Sequence, residues 1–179
     1  MLLDYHPSLR LQHDEDLALL RAEWVPGAAP PQQYQAALTC LLQVARERGV
    51  RHCFLDMPDM PDISVYDQIW MGRHWVPGVV QLPLERVVFH IGTRKVYNQL
   101  AVESLIALAR AFIRFDIQFF SQPRAALGWL SNDAPGLAAL LAEWNARWPP
   151  AAPGPSPAGP AGRPPPVPGA VSAGPLAAS

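Results

Sequence analysis

The chain has 179 residues, of which half are apolar and 16% are charged, and its formal net charge is −1. This near-neutral charge excludes the class of nucleic-acid binders whose affinity depends on neutralising phosphates with many basic side chains. A chain of this length can bury a core that is large enough to fold without disulfides or metal ions.

The 21 prolines are concentrated near the C-terminus. Residues 149–179 contain 11 Pro, 8 Ala and 5 Gly, and Arg163 is the one charged residue of this segment. A segment of this composition has too few large apolar side chains to build a core, so we expect it to be disordered, with extended polyproline stretches. The sequence therefore predicts a single domain over residues 1–148 and a disordered tail over residues 149–179.

The N-terminus and the hydropathy of the chain predict the cellular compartment of the protein. The N-terminus lacks the basic start and the apolar run of a signal peptide, and no stretch approaches the about 18 apolar residues that span a bilayer. We therefore expect a cytoplasmic protein with no membrane-spanning segment. Cys40 and Cys53 have no metal-binding spacing, and we expect them to be small buried hydrophobic residues.

The first half of the chain predicts a hairpin, a helix and a strand. Residues 9–11 and 17–25 alternate apolar and polar side chains around a short polar turn, which favours a β-hairpin. Apolar residues then recur at helical spacing over 34–45, between prolines at the start and basic residues followed by Gly49 at the end. The short apolar run within 50–57 follows this helix, and we expect it to be a central strand.

The second half predicts helices that alternate with strands. One of these helices has an apolar stripe that we expect to face the core, formed by Ala101, Leu105, Leu108, Ala109, Phe112 and Ile113. Strands that alternate with helices imply parallel pairing with right-handed crossovers. We therefore predict an α/β fold with a mixed sheet of about five strands, an N-terminal hairpin followed by βαβ crossovers, and about four helices. The predicted elements are a helix from Ser64 to before Pro77, a strand over 87–91, a helix over 96–114, a strand over 115–119, and short helices over 123–130 and 137–148.

Two tryptophans, Trp70 and Trp75, flank Arg73 in the predicted second helix. Aromatic side chains beside an arginine are typical of protein interfaces and of apolar ligand sites. The alternative is that Trp70 packs against the sheet and that Trp75 closes the crossover to the next strand. Arg94 and Tyr97 follow the next strand, and we expect them at the same carboxyl-end edge of the sheet, where ligands and partners bind in open α/β folds.

Three aspartates, Asp56, Asp59 and Asp62, recur at every third position after the predicted central strand. Such a row of carboxylates could hold a hard cation, but the calcium-loop pattern is absent, and acidic residues before a helix N-terminus are stabilising without any metal. We therefore predict no metal site. Asp56 remains a candidate binding residue because it lies at the carboxyl-end edge.

The sequence contains none of the motifs of the familiar enzyme classes. It has no G-x-S-x-G elbow, no glycine-rich phosphate loop and no paired Cys/His nucleophile. His52 and His90 lie on predicted neighbouring strands, where they could face each other or a ligand, or occupy separate surface or hydrogen-bonded positions. We therefore expect a non-enzymatic domain that needs no cofactor.

Several short pieces of the sequence carry a family resemblance. They are Phe54-Leu55-Asp56-Met57 at a strand end, Asp62-Ile63-Ser64 at a helix start, Trp70 and Trp75, Phe119-Phe120 in the last strand, and Ala126-Leu127-Gly128-Trp129-Leu130 in the helix that follows. Together they resemble the STAS or SpoIIAA-like superfamily over residues 9–131, and in particular the small bacterial STAS/SEC14 domain-containing proteins. The resemblance implies a SpoIIAA-like sheet and a domain with a regulatory role.

The same resemblance raises the question of phosphorylation. In STAS regulators of the anti-sigma antagonist type, the corresponding helix begins with a phosphorylatable serine in an Asp-Ser-Ser/Thr-Gly motif. This chain has Asp62-Ile63-Ser64-Val65 there, without the second hydroxyl and the glycine. The resemblance therefore carries over Ser64 alone. Ser64 and Asp67 also have the Ser-x-x-acid spacing of a capping box, so the alternative is an ordinary helix cap.

These observations lead to one principal hypothesis of function and two alternatives. The principal hypothesis is a domain that acts through association with a protein partner or as a homodimer. The alternatives are the binding of a small apolar ligand or lipid in a preformed cavity, as the SEC14 name implies, and a phospho-switch at Ser64. The candidate binding residues are Asp56, Ser64, Asp67, Trp70, Arg73, Trp75, Arg94 and Tyr97.

Overall fold

The computed structural model describes residues 1–27, 33–92 and 96–149. Within these ranges the chain forms a mixed β-sheet of six strands that is combined with α-helices, so the predicted α/β class is confirmed. The tail beyond residue 149 and the candidate Arg94 lie outside the described residues. Among the helices that are described, none is long and apolar enough to cross a membrane.

The sheet contains its six strands in the order of the sequence. The first three form an antiparallel meander, and the last three continue the sheet in parallel pairing. The first strand has only two residues, which is too short for a periodic pattern to be recognised. The sequence therefore predicts about five strands instead of six. The strands are β1 (Leu2–Leu3), β2 (Leu9–Asp14), β3 (Leu19–Trp24), β4 (His52–Asp56), β5 (Arg86–His90) and β6 (Asp116–Phe120).

The helices pack on both faces of this sheet. The helices that connect the parallel strands lie on one face, and the helices after β6 cover the other. The first face carries α1 (Tyr34–Glu47), α2 (Val65–Trp70), a π-helical turn (Met71–Trp75), α3 (Val76–Val79) and α4 (Val96–Ala109). The second face carries α5 (Pro123–Ser131) and α6 (Gly136–Arg147).

The helix that begins at Val65 does not end before Pro77, as the sequence pattern predicts. It passes through the π-helical turn and continues as α3, in which Pro77 is the second residue. Pro77 lacks the N–H that would donate to the preceding turn, and it lies where the winding changes from π-helical to α-helical. The result is a continuous helical segment over residues 65–79, with an irregular turn in its middle, that covers this face of the sheet. We call this segment the helical wall.

The strands β4 and β5 are buried on both faces, as their continuous apolar runs predict. On β4, Cys53 belongs to the larger core, which lies under α1 and α4, whereas Phe54 belongs to a smaller core under α5 and α6. Val87 and Val88 divide in the same way on β5. The central strands therefore hold two apolar layers together.

The prediction that Leu108 and Phe112 face the core is wrong. Leu108 is 80% exposed and Phe112 is 67% exposed, and α4 ends at Ala109, before Phe112 is reached. Three other members of the predicted stripe, Ala101, Leu105 and Ala109, are buried, together with Val102. Because this helix is apolar around most of its circumference, the sequence pattern does not distinguish the buried face from the exposed one.

Candidate functional site

Exposed apolar side chains are concentrated on α2 and α4. Of the ten large apolar side chains that are exposed in the described part of the chain, eight lie on α2, on α4 or in the turn after α4. We call this surface the α2–α4 face. Its eight exposed members are Val65, Tyr66, Ile69, Val96, Tyr97, Leu100, Leu108 and Phe112.

The α2–α4 face exposes a large apolar area. Tyr66, Tyr97 and Phe112 are each more than half exposed, and whole aromatic side chains cover about 150–250 Å² each. These three rings alone therefore present about 300 Å² or more, to which five aliphatic side chains add. Monomeric proteins rarely expose a contiguous apolar patch of more than a few hundred Å², and larger patches mark interaction sites.

A groove of about 710 Å³ runs along this face between α2–α3 and α4. Val65, Ile69 and Val76 form one wall, and Leu108 and Phe112 form part of the other. Of the described residues that line the groove, Arg73 alone carries a charge. A surface with so few charges can be covered by an apolar partner without the cost of removing ions from water.

The structure separates the two tryptophans from the arginine between them. Trp70 and Trp75 are half-buried and pack against the larger core, and the indole N–H of Trp75 donates to the carbonyl oxygen of Leu38 on α1 at 2.7 Å. Arg73 is exposed and lies in the groove. The geometry of both tryptophans is that of packing residues, whereas Arg73 is available to a partner.

Tyr97 lies on the α2–α4 face, where it links the two helices. Its ring is 55% exposed, and its hydroxyl oxygen accepts a hydrogen bond from Nε2 of Gln68 at 3.1 Å. On the opposite side of the same segment, Tyr34 of α1 donates its hydroxyl proton to the sulfur of Met71 at 3.2 Å. Burial raises the pKa of Tyr34, so this phenol stays neutral and anchors the π-helical turn.

Ser64 and Asp67 form the capping box that their spacing predicts. The backbone N–H of Asp67 donates to Oγ of Ser64 at 3.1 Å, and the backbone N–H of Ser64 donates to Oδ2 of Asp67 at 3.3 Å. Gln35 of α1 donates to the other carboxylate oxygen of Asp67 at 3.0 Å. A phosphate on Ser64 would lie against the Asp67 carboxylate and break this cap, so the geometry favours the capping role.

Asn98 is a residue that the sequence pattern does not single out. It is 1% exposed on α4, and its Oδ1 accepts from the backbone N–H of Ile63 at 3.0 Å. Its Nδ2 donates to the carbonyl oxygens of Pro61 at 2.9 Å and Met60 at 3.4 Å. One amide therefore fixes the loop that leads into α2, and with it one wall of the groove.

Asp56 does not lie on the α2–α4 face but forms an ion pair with His90, its neighbour on β5. Nε2 of His90 also contacts the carbonyl oxygen of Ser121 at 3.3 Å. Burial lowers the pKa of His90, but the hydrogen bond and charge of Asp56 outweigh this effect and hold the pKa above its usual value. His52 does not face His90; its nearest acidic partner is Glu85, at 3.7 Å.

The raised pKa of His90 makes a testable contribution to stability. Because the folded state binds this proton more tightly than the unfolded chain, the contribution is full below the unfolded pKa of about 6.5 and is lost as the pH rises through the folded value. We expect His90→Gln to lower the free energy of unfolding more at about pH 6 than at about pH 8. Chemical denaturation of both proteins at the two pH values measures this difference.

The comparison of the two proteins removes the effect of other histidines. His13 and His52, whose pKa values are lowered chiefly by burial, titrate in both proteins and cancel in the difference. A loss of stability in His90→Gln that is equal at both pH values would contradict the ion pair with Asp56.

The ion pair of Asp56 and His90 belongs to a larger charged cluster. Arg21 and Glu23 of β3 lie on the same face of the sheet and form an ion pair with each other. Burial lowers the pKa of Arg21 and raises the pKa of Glu23, and the negative charge of Asp56 acts to raise both.

A second apolar space lies beneath the helical wall and is partly open to the surface. It is a cavity of about 110 Å³ between the sheet and the helices of the first face. Apolar atoms form almost all of its surface, and the residues that line it include Ala22 of β3, Ala45 of α1 and Trp75. Walls of this kind offer almost no hydrogen-bond partners to water and therefore favour apolar guests.

The α2–α4 face and its groove thus form one apolar region next to the cavity, and Asp56 belongs to a charged cluster outside this face, although it is also among the residues that line the cavity. Of the predicted binding residues, Arg73 and Tyr97 lie exposed in this region, and Ser64 and Asp67 cap the helix that forms its wall. The chain was compared with protein families, with curated proteins and with solved structures, and none of the three comparisons gives a match.

Proposed function

We propose that this chain is a STAS-like domain that acts through protein association, and that it binds a second copy of itself through the α2–α4 face. The observation that carries the proposal is that eight exposed large apolar side chains lie on or next to α2 and α4, and that four of them line the groove between these helices. Water contact with such a surface is unfavourable, and covering it with a matching surface recovers about 25 cal/mol for each Å² of apolar area.

The extent of the face fits a dimer interface. Fourteen residues line the groove, and Tyr66, Val96, Tyr97 and Leu100 extend the face beyond it. A stable interface of standard size uses about 20–30 residues on each side. A face of this size is therefore close to what a homodimer needs, without a contribution from other parts of the surface.

The shape of the face favours a second copy over an unrelated partner. A twofold symmetric interface pairs one patch with itself, so it needs a projection and a matching recess side by side. Leu108 and Phe112 project beside the groove that they help to form. The small side chains of Ser104 and Ala107, which are exposed on α4, allow two such helices to approach closely.

The electrostatics of the face are compatible with self-association. Like charges that meet across a twofold axis repel each other, and charges at the centre of an interface are costly to desolvate. Among the described lining residues the groove has the single charge of Arg73, and the eight exposed apolar members carry none. Two copies can therefore meet without a large electrostatic penalty.

The size of the cavity bears on the alternative of a lipid or other apolar ligand. Ligand pockets occupy about 300–1,000 Å³, whereas this cavity has about 110 Å³. An acyl chain does not fit into that volume, although one small apolar group does. The cavity alone therefore does not support lipid binding, whereas the groove of about 710 Å³ is large enough for an apolar ligand, so the oligomeric state and vesicle binding have to distinguish the two hypotheses.

A charge placed on the α2–α4 face should dissociate the dimer. We expect size-exclusion chromatography with light scattering to give twice the mass of the chain for the wild type at micromolar concentrations, and the mass of one chain for Phe112→Glu. Phe112 is exposed and lies outside the helix, so the substitution should leave the fold intact. Burying an unpaired carboxylate in the interface should raise the Kd by at least about tenfold.

Tyr5→Glu is the matched control for this experiment. Tyr5 is also a large exposed side chain, at 49%, but it lies outside the α2–α4 face, so this variant should remain a dimer. A wild type with the mass of one chain, or a Phe112→Glu variant that is still a dimer, would refute the proposal. Flotation of a monomeric wild type with phospholipid vesicles would instead identify the α2–α4 face as a lipid-binding surface and would also refute it.

A further inference from the structure

The cavity and the groove share one wall. Val76 and Val80 at α3, and Leu105 and Ala109 on α4, line both spaces. The two spaces therefore lie side by side, with these apolar side chains between them. A guest that lies in the groove has only these side chains to displace before it reaches the cavity.

The part of the wall that belongs to α3 is weakly held. Helix α3 has four residues, includes Pro77 and Gly78, and contains no residue that is fully buried. It follows directly on the π-helical turn, a rare conformation that occurs frequently at functional sites. Short segments with few buried contacts open at low free-energy cost, so the wall next to Val76 is the natural entrance to the cavity.

The volume of the cavity selects the kind of guest. An apolar cavity of about 150 Å³ is known to hold one benzene molecule, and this cavity of about 110 Å³ is somewhat smaller. That space fits one branched aliphatic side chain, and it is too small for a lipid tail. Interfaces obtain much of their affinity from a few apolar anchors that fill such desolvated pockets.

We infer that the second copy inserts its Leu108 side chain past Val76 and Leu105 into this cavity, and that each copy does so to the other. The inference rests on the proposed dimer. Leu108 is the most exposed of the large apolar side chains in the described ranges, at 80%, and it stands at the rim of the same groove. Twofold symmetry brings that rim to the groove of the partner.

The test is a double-mutant cycle that measures the Kd of the dimer. Leu108→Ala removes the anchor, and Ala22→Leu fills the cavity from β3 with a side chain like the proposed guest. We expect each single variant to raise the Kd by about tenfold or more. We expect the double variant to raise it no further than either single variant, because both changes abolish the same contact.

Two further measurements keep the outcome clear. Ala45→Leu fills the cavity from α1, so agreement between the two filled variants separates an effect of the cavity from a local defect at Ala22. The Tm of each filled variant should be equal to or higher than that of the wild type, because the added carbons occupy empty space. A wild-type dimer whose Kd is unchanged by both filled variants would overturn the inference and leave the proposed function intact, whereas a monomeric wild type would overturn both.

Discussion

Replacing Arg21 by methionine should lower the free energy of unfolding by about 3–5 kcal/mol, the largest effect that we expect from a single substitution away from the α2–α4 face. Arg21 is 6% exposed on β3, and its Nε donates to Oε1 of Glu23 at 2.9 Å. Its guanidinium group lies 3.8 Å from the ring centre of Trp144. The substitution removes the ion pair and the cation–π contact together.

The expected loss is large because Glu23 remains in the interior. Burial raises the pKa of this carboxyl group, and the charge of Arg21 opposes that effect, whereas the charge of Asp56 adds to it. Without Arg21, the Glu23 carboxylate has lost its partner and must either take up a proton or remain as an uncompensated buried charge. The loss of the stack on Trp144 also weakens the attachment of α6 to the sheet.

Arg51→Met is the matched control, because Arg51 also pairs with a glutamate, Glu85, but at the surface. Both side chains of that pair are about half exposed, so its loss should cost less than about 1 kcal/mol. Urea denaturation measures both variants. Adding Glu23→Leu to Arg21→Met should recover part of the lost stability, since it removes the unpaired carboxylate. Equal losses in Arg21→Met and Arg51→Met would contradict this account.

Asn98→Ala should lower the free energy of unfolding by about 2–4 kcal/mol. The substitution leaves the N–H of Ile63 and the carbonyl oxygen of Pro61 without their side-chain partner in a buried place, and each such group costs about 1–3 kcal/mol. These groups hold the loop that enters α2, so the damage should be concentrated there. Hydrogen exchange should report faster exchange of the Ile63 amide than in the wild type.

Gln99→Ala is the control for Asn98→Ala. Gln99 is the next residue on α4, but its side chain bonds to Glu103 on the same helix, at 2.8 Å, and to no loop. Pairs of this kind contribute about 0.2–0.5 kcal/mol, so the expected loss is small. If Asn98→Ala and Gln99→Ala have the same stability, or if the exchange of Ile63 is unchanged in Asn98→Ala, the role of Asn98 is not the one described.

The sequence predicts the capping of α2 and the alternation of helices and strands from single residues and their spacing. Ser64 and Asp67 are three residues apart and act through backbone groups within the same turn, so the sequence predicts their contact correctly. Arg21 and Glu23 are a contrasting case. Their polarity predicts a solvent-exposed face of the hairpin, but α6 covers them, because helices that come more than 100 residues later return to this face of the sheet.

The sequence by itself determined the α/β class, because periodicity, helix punctuation and the alternation of elements are local properties of the chain. Only the tertiary structure decided which apolar residues are left exposed. Leu105 and Leu108 are three residues apart on a helix that is apolar on several sides, and the packing of α4 against the sheet and the helical wall buries the first and exposes the second. The α2–α4 face exists because α2 and α4, which are separated in the chain by β5, lie side by side in the fold.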